Sequence, residues 1–445
     1  MKTAHDFTTG PILSPLVRFV FPVLLALLLQ SLYGAVDLLV VGRYGEAANV
    51  SAVSIGAMVM QTLTFVITDI AMGATILIGR KIGEKKEGEI GKIIASDLLL
   101  FLLMAIVMTA LVEPLAGLVA KALQAPSEAY EGTVSYIRIC TWGSACIVAY
   151  NVLGSIFRGL GNSMMPLISV AIACVCNIFG DLYFVAVLGM AERGAAIATV
   201  LSQALSVVIS VLVIRKQSFS FHIARKDIRW DKTVIKDTVR LGLPIALQDL
   251  LVSISFLFIA AIVNRLGLIA SAGVGIAEKV CGFLMLVPSS FMQAMSAFTA
   301  QNVGAGRTER ADRSLLYGIL LSLCVGLLMF YLAFFHGTAL SLVFTTDREV
   351  ASAAADYLKA YAIDCILTSF LFCLMGYFNG IGRTTFVMVQ GIIGAFLIRI
   401  PVSLLMSKEV PVSLFHVGLA TPCSSVVQIV LCISFFLLLK KRRKR

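Results

Sequence analysis

Four oxygen-bearing side chains lie in or beside long apolar runs of this sequence, where they could hold a cation. Asp37 and Asp181 are each surrounded by apolar residues, and a carboxylate at the centre of a bilayer costs about 2.5–3.5 kcal/mol on insertion scales. Asn177 precedes Asp181 by one helical turn, and Thr199 opens the following run. Carboxylate, amide and hydroxyl oxygens can bind sodium, and two adjacent buried carboxylates can share a proton. These side chains could therefore carry sodium or a proton.

Four further polar residues in apolar runs are weaker candidates for a site. Asp69 could line a cavity or hydrogen-bond to a neighbouring helix, and Asp249 lies early in its run, where it can reach the interface. Tyr361 is one turn before Asp364, and this pair could attract a cationic ligand. We predict that these four residues contribute to a substrate cavity.

The chain contains an internal repeat that spans most of its length. Residues 17–45 align without a gap to residues 239–267, and Phe157-Arg-Gly-Leu-Gly returns 221 positions later as Phe378-Asn-Gly-Ile-Gly. This offset is about half of the 445 residues. The repeat predicts two copies of one membrane unit, an arrangement that usually places a transported solute between the copies.

Matched prolines and an unmatched polar cluster distinguish the two copies. Pro22 and Pro244 occupy the same place in the repeat, and each predicts a helix kink because proline lacks a backbone donor. The cluster is not repeated: Asp37 aligns with Ile259, Asn177 with Ile398, Asp181 with Val402, and Thr199 falls near Cys423. A role required by the fold should appear in both copies, so the unmatched cluster favours function. The alternative is a set of structural interhelical hydrogen bonds, worth about 0.6 kcal/mol each.

Composition identifies the bilayer as the solvent of this chain. Apolar residues make up 59% of the sequence, charged residues 14%, and the mean hydropathy is +0.95. A transmembrane helix needs about 20 mainly apolar residues. The sequence predicts an all-α membrane protein with twelve such helices in two pseudo-symmetric six-helix lobes, 1–214 and 239–445, joined by a linker over 215–238. The twelve predicted runs are 16–41, 51–79, 93–120, 133–156, 164–188, 195–214, 239–264, 269–300, 314–335, 350–378, 385–406 and 413–439.

Loop charges predict the orientation of the chain. If the N-terminus is cytoplasmic, 25 of the 36 Lys and Arg residues fall in cytoplasmic segments and six in external loops. Cytoplasmic loops carry such an excess of Lys and Arg. We therefore expect both termini and the linker to be cytoplasmic in a multi-pass protein of the plasma membrane. The net charge of +11 follows from this topology, and we expect no nucleic-acid partner.

Several local strings resemble the multidrug and toxic compound extrusion (MATE) family, and their order and spacing cover nearly the whole chain. The strings are Asp37-Leu-Leu-Val-Val-Gly-Arg-Tyr-Gly45, Phe157-Arg-Gly-Leu-Gly161, Asn177-Ile-Phe-Gly-Asp181, Gly194-Ala-Ala-Ile-Ala-Thr199 and Gln301-Asn-Val-Gly-Ala-Gly306. The resemblance implies twelve helices in two lobes, a central cavity open to one side at a time, and efflux of cationic or amphipathic compounds driven by sodium or proton entry.

The resemblance also assigns roles to residues of this chain. It implies that Asp37, Asn177, Asp181 and Thr199 form the cation site of the first lobe. The sequence departs from the family pattern elsewhere. Val252 occupies the position of a carboxylate found in one branch, and Thr368 occupies another, with Asp364 one turn earlier. Leu182 follows Asp181 where many relatives have proline, which leaves bending of that helix open.

Enzyme classes find no support in the sequence. The four His residues are scattered, and neither an HExxH motif nor a GxxxxGK[ST] loop occurs. We predict a secondary antiporter for multidrug efflux that acts as a monomer without a cofactor, with sodium or a proton as coupling ion. Two alternatives are a flippase for a lipid-linked saccharide, which would need a strongly cationic cavity, and an uncoupled channel or receptor, which would not need the carboxylate cluster.

Overall fold

The computed structural model describes residues 6–216, 228–408 and 412–443, and it is almost wholly helical. No β-strand occurs within these ranges. The helices are α1 (Leu13–Tyr44), α2 (Ala47–Gly83), α3 (Glu87–Ala122), α4 (Ser127–Trp142), α5 (Ser144–Gly159), α6 (Met164–Asp181), α7 (Ala191–Lys216), α8 (Lys232–Asn264), α9 (Leu268–Leu284), α10 (Leu286–Gly304), α11 (Thr308–Phe335), α12 (Gly337–Ser341), α13 (Arg348–Gly380), α14 (Thr384–Ile392), α15 (Ile400–Met406), α16 (Leu414–Gly418) and α17 (Ala420–Arg443). The described residues also include two π-helical segments, Leu182–Val187 after α6 and Ile393–Arg399 between α14 and α15.

The helical spans agree with the predicted fold class. Among the described residues, eleven helical stretches are long and apolar enough to cross a membrane, and the pair α4 and α5 makes a twelfth if it forms one span. The all-α membrane class is therefore confirmed. The fourth predicted run, 133–156, is not one straight helix, because α4 and α5 meet at 58° around Gly143. A side chain at Gly143 would overlap Val200 of α7, so the break lies where α7 packs closely.

The chain divides into two compact units. The first comprises residues 1–9, 17–246 and 304–306, and the second comprises 10–16, 247–303 and 307–445. The helices α1 and α8 each contribute residues to both units. Pro22 and Pro244 lie inside these two continuous helices, so the predicted kinks stay a prediction.

In the first unit, α2 is the central packing element. It packs against α3, α4, α5 and α7, and α6 packs along α7. The fully buried side chains of Ile78, Phe101 and Phe157 lie in the apolar core of this unit. This packing sets α6 and α7 side by side, which matters because both carry residues of the predicted cation site.

In the second unit, α13 is the central helix. It packs against α9, α11, α16 and α17. In its most apolar 18-residue stretch, 67% of the residues are buried, a larger share than in any other described span. Polar residues on this helix are therefore enclosed by protein rather than exposed to lipid. Tyr361 and Asp364, two predicted cavity residues, are both buried there.

The start of α8 is anchored to α3 within the first unit. Asp231 accepts hydrogen bonds from the backbone N–H groups of Thr233 and Val234, as a helix cap does, and its carboxylate lies 2.6 Å from Lys92 Nζ. The hydrogen bond from Lys92 lowers the pKa of Asp231 to about 2. Thr238 Oγ1 donates to Asp97 Oδ1 at 2.8 Å. These bonds fix the first turns of α8 to the packed face of α3.

The predicted linker lies partly outside the described residues. Residues 217–227 are not described, and Lys232 already begins α8. The last seven residues of the predicted linker therefore belong to a helix. The lobe bounds and the cytoplasmic placement of the linker stay predictions.

Candidate functional site

The structure brings the four residues of the predicted cation cluster together in the first unit. Asp37 lies on α1, Asn177 and Asp181 on the last turns of α6, and Thr199 on α7, and all four are buried. Thr199 Oγ1 donates to Asp37 Oδ2 at 3.4 Å. Asp181, Asn177 and Thr199 are the polar neighbours of the Asp37 carboxyl group. The consecutive helices α6 and α7 thus meet the Asp37 carboxylate of α1, which is distant from them in sequence.

Most polar atoms of this cluster have no hydrogen-bond partner within the described residues. They are Asp37 Oδ1, both carboxylate oxygens of Asp181, and the side-chain oxygen and nitrogen of Asn177. A buried polar atom without a partner costs about 1–3 kcal/mol. Two adjacent buried carboxylates also need a compensating charge. An oxygen-rich set of this kind suits a hard monovalent cation or a shared proton.

Close helix packing positions the cluster. The Ala198 side chain would lie 2.9 Å from a Cβ placed on Gly180, so α6 and α7 approach closely between Asp181 and Thr199. A Cβ placed on Gly194 would likewise lie 3.0 Å from the backbone of Phe184. Small residues permit such approaches between membrane helices. Gly180 and Gly194 thereby allow α7 to lie close to α6 and to the π-helical segment that follows it.

A π-helical segment begins directly after the cluster. The helix α6 ends at Asp181, and Leu182–Val187 continues as a π-helix. Wider π-helical turns are frequent at functional sites and change the direction in which side chains point. The sequence did not decide whether this helix bends, because Leu182 stands where many relatives have proline. The structure shows that this chain alters the helix at the same place without one.

Sequence reasoning missed four residues around the cluster. Tyr33 precedes Asp37 by one turn, Gln203 follows Thr199 by one turn, and Gln203 Nε2 donates to Tyr33 Oη at 3.3 Å. Tyr136 and Cys140 of α4 are electrostatic neighbours of Asp37. Spacing of four residues from a predicted ligand was the signal that could have found Tyr33 and Gln203, since it places them on the same helix face.

The aligned positions of the second unit carry no such cluster. Ile259, which aligns with Asp37, is fully buried in an apolar core with Val263 and Val274. Ile398 and Val402 are apolar and half-buried. The carboxylate pair is therefore a property of the first unit, as the sequence comparison predicted.

The other four predicted site residues do not join the cluster. Asp69 on α2 and Asp249 on α8 are half-buried, and neither is among the neighbours of the Asp37 carboxyl group. Tyr361 and Asp364 lie in the second unit on α13. Their part in a substrate cavity stays a prediction.

Comparisons with known proteins agree on one group of relatives. The model of the MatE family matches residues 22–182 and again 244–405. The chain is 24% identical over 435 residues to the probable multidrug resistance protein YoeA of Bacillus subtilis, covering 96% of this chain and 94% of that protein. It is 21% identical over 394 residues to the multidrug export protein MepA of Staphylococcus aureus, with 87% of each covered. A solved structure described as an outward-facing multidrug resistance MATE family transporter of the MOP superfamily aligns with a TM-score of 0.92 at 21% identity, covering 100% of this chain and 99% of that one.

Proposed function

Since this chain belongs to the MatE family, a family of transporters and not of enzymes, we propose that it is a secondary antiporter that exports cationic or amphipathic small molecules. Its relatives carry names of multidrug resistance and export proteins. The proposed driving force is the entry of sodium or a proton, and the proposed cycle alternates access between the two sides of the membrane. No other cofactor is needed, and the monomer suffices because the cluster is complete within one chain.

The observation that carries this proposal is the carboxylate cluster of the first unit. Asp37 and Asp181 lie side by side in a buried site, and three of their four carboxylate oxygens lack hydrogen-bond partners within the described residues. An antiporter needs a group that binds its coupling ion on one side and releases it on the other. A monovalent cation bound between Asp37 and Asp181 would offset one of their two negative charges and draw α1 towards α6. Loss of that cation would restore repulsion between the two carboxylates, so ion binding can bias the arrangement of these helices.

The test is efflux of a fluorescent lipophilic cation from proteoliposomes that contain the purified protein. An inward sodium gradient and an inward proton gradient are imposed separately. We expect one of the two gradients to drive efflux well above the rate without a gradient, and an ionophore that collapses it to abolish the effect. An efflux rate that neither gradient changes would contradict the antiport mechanism. Movement of a lipid-linked saccharide in the same liposomes, with no efflux of the cation, would instead favour a flippase.

The loop charges carry a second proposal, that the protein lies in the plasma membrane with both termini cytoplasmic. Glu87 and Ser127 are each the first residue of a helix, and α3 separates them. In a variant without native cysteines, we expect a membrane-impermeant maleimide to label Ser127→Cys in intact cells and to leave Glu87→Cys unlabelled until the cells are permeabilised. Labelling of Glu87→Cys alone in intact cells would reverse the topology.

A further inference from the structure

The second unit holds a buried arginine that the transport site does not use. Arg399 ends the π-helical segment Ile393–Arg399, and only 5% of its surface is exposed. Its Nη1 donates to Ser255 Oγ on α8 at 3.0 Å, and its guanidinium carbon lies 4.4 Å from the ring centroid of Phe256. A hydrogen bond on one edge and an aromatic face below hold the planar group in place.

A buried carboxylate lies in the surroundings of this guanidinium. Asp364 on α13 is 2% exposed, and its polar neighbours are Ser425 on α17 and Arg399. Asp364 Oδ1 and Arg399 Nε each lack a hydrogen-bond partner within the described residues. Removing one partner from a buried charge pair leaves the other charge uncompensated, which is strongly destabilising. Asp364 and Arg399 form no direct ion pair among the described residues, so Arg399 offsets the charge of Asp364 from beyond contact distance.

The groups around this pair supply no other cation. Tyr357 and Tyr361 of α13 are electrostatic neighbours of Arg399, and both are neutral phenols. On α9, Glu278 and the thiol of Cys281 interact with Tyr357. Ser255 and Ser425 contribute hydroxyls from α8 and α17. Within the described residues, Arg399 is the one basic side chain among the neighbours of Asp364.

The two units therefore balance their buried carboxylates differently. Among the described residues of the first unit, the adjacent carboxylates Asp37 and Asp181 have no basic side chain among their polar neighbours, and the buried Asp97 is paired only with Thr238. The second unit has Asp364 with a guanidinium in its surroundings. Arg399 comes one position after Ile398, the residue that aligns with Asn177 of the cluster. The duplicated helix thus carries a cation ligand in one copy and a built-in cation in the other.

We propose that Arg399 is a tethered counter-ion of Asp364, so that the second unit of this chain takes up no coupling cation. The guanidinium supplies permanently the positive charge that a mobile ion supplies at Asp37 and Asp181. Asp364 is then a partner of Arg399 rather than a contact for a cationic substrate. The statement about coupling depends on the antiport function proposed above, whereas the pairing of Asp364 with Arg399 does not.

The test compares thermal unfolding of the purified protein and three variants, Arg399→Gln, Arg399→Lys and the double variant Arg399→Gln/Asp364→Asn. Each is measured with sodium or with choline as the only monovalent salt, and in mildly alkaline and mildly acidic buffer. The first-unit cluster is present in all four proteins, so its own response to ions cancels in the comparison. No transported substrate enters the measurement, so its outcome does not depend on whether the protein performs efflux.

We expect Arg399→Gln to lower the melting temperature by about 5 °C or more, and Asp364→Asn in the same chain to recover most of that loss. Arg399→Lys, which keeps the charge, should lose less. Sodium or acid should stabilise Arg399→Gln more than the double variant, because a free cation or a proton then replaces the guanidinium at Asp364. Equal losses in the single and double variants, including equal failure to fold, would overturn the proposal. A response to sodium and acid in Arg399→Gln that matches the double variant would also overturn it.

Discussion

Asparagine in place of Asp37 or Asp181 is expected to reduce gradient-driven efflux roughly 100-fold, equivalent to about 2.8 kcal/mol. The substitution removes the charge that attracts the coupling cation and keeps the shape of the side chain. Each variant should still insert and fold, because neutralising one of two adjacent carboxylates relieves their repulsion. Binding of the substrate without a gradient should change less. The measurement is efflux under the driving gradient, normalised to the amount of reconstituted protein.

Graded variants serve as controls for this result. Asn177→Ala and Thr199→Ala should weaken coupling by less, roughly tenfold or below, since each removes a neutral ligand. The hydrogen bond from Thr199 to Asp37 is long at 3.4 Å, so its loss should cost least. We do not expect coupled efflux in the Asp37→Asn or Asp181→Asn variant to be restored by adding Ile259→Asn and Val402→Asn in the second unit. Wild-type coupling in both carboxylate variants would move the site elsewhere, with Asp69 and Asp249 the next residues to test.

Replacement of Gly242 by Ala is expected to destabilise the protein by about 1–3 kcal/mol, and replacement by Val by more. A Cβ on Gly242 of α8 would overlap the backbone of Ile70 on α2, and a Cβ on Gly73 would overlap the carbonyl oxygen of Thr238. Both contacts involve backbone atoms, which cannot move aside as a side chain can. The two glycines therefore permit a close crossing of α2 and α8 within the first unit. Thermal unfolding of the purified variants measures the effect.

Matched glycines on α9 provide the control for this prediction. A Cβ on Gly275 or on Gly282 would meet no atom within 4 Å. Alanine at these positions should leave stability unchanged or increase it, by up to about 0.5–1 kcal/mol, because alanine favours a helix over glycine. If Gly242→Ala proves as stable as Gly282→Ala, the close crossing of α2 and α8 is not a constraint on the fold.

The sequence predicted the class and spans of the fold because the bilayer imposes them. Long apolar runs and an internal repeat suffice to locate membrane helices. The break at Gly143 was not predicted, since the mainly apolar run over 133–156 is long enough for one span. The side chain of Val200, more than fifty positions away in sequence, occupies the space beside Gly143. Only the tertiary structure shows this contact.

The charged residues of the candidate site were predictable from the sequence, and the neutral side chains around them were less so. An Asp in an apolar run stands out because its burial is costly, which led to Asp37 and Asp181. Tyr33 and Gln203 carry only the weaker signal of four-residue spacing from Asp37 and Thr199, because a phenol or an amide in an apolar helix is common. Arg399 was visible as a charge inside a predicted helix, but its relation to Asp364 depends on how α13 packs against neighbouring helices. Sequence alone could not assign that relation.

The cluster around Asp37 and Asp181 is the proposed carrier of the coupling cation. The most direct test follows substrate efflux together with cation entry in the same proteoliposomes, using radioactive sodium in one set and an internal pH reporter in another. For the wild-type protein we expect one cation to enter in a fixed ratio to the exported substrate. For Asp37→Asn/Asp181→Asn we expect neither coupled entry nor gradient-driven efflux. A wild-type ratio of cation to substrate in that double variant would show that the coupling cation binds elsewhere.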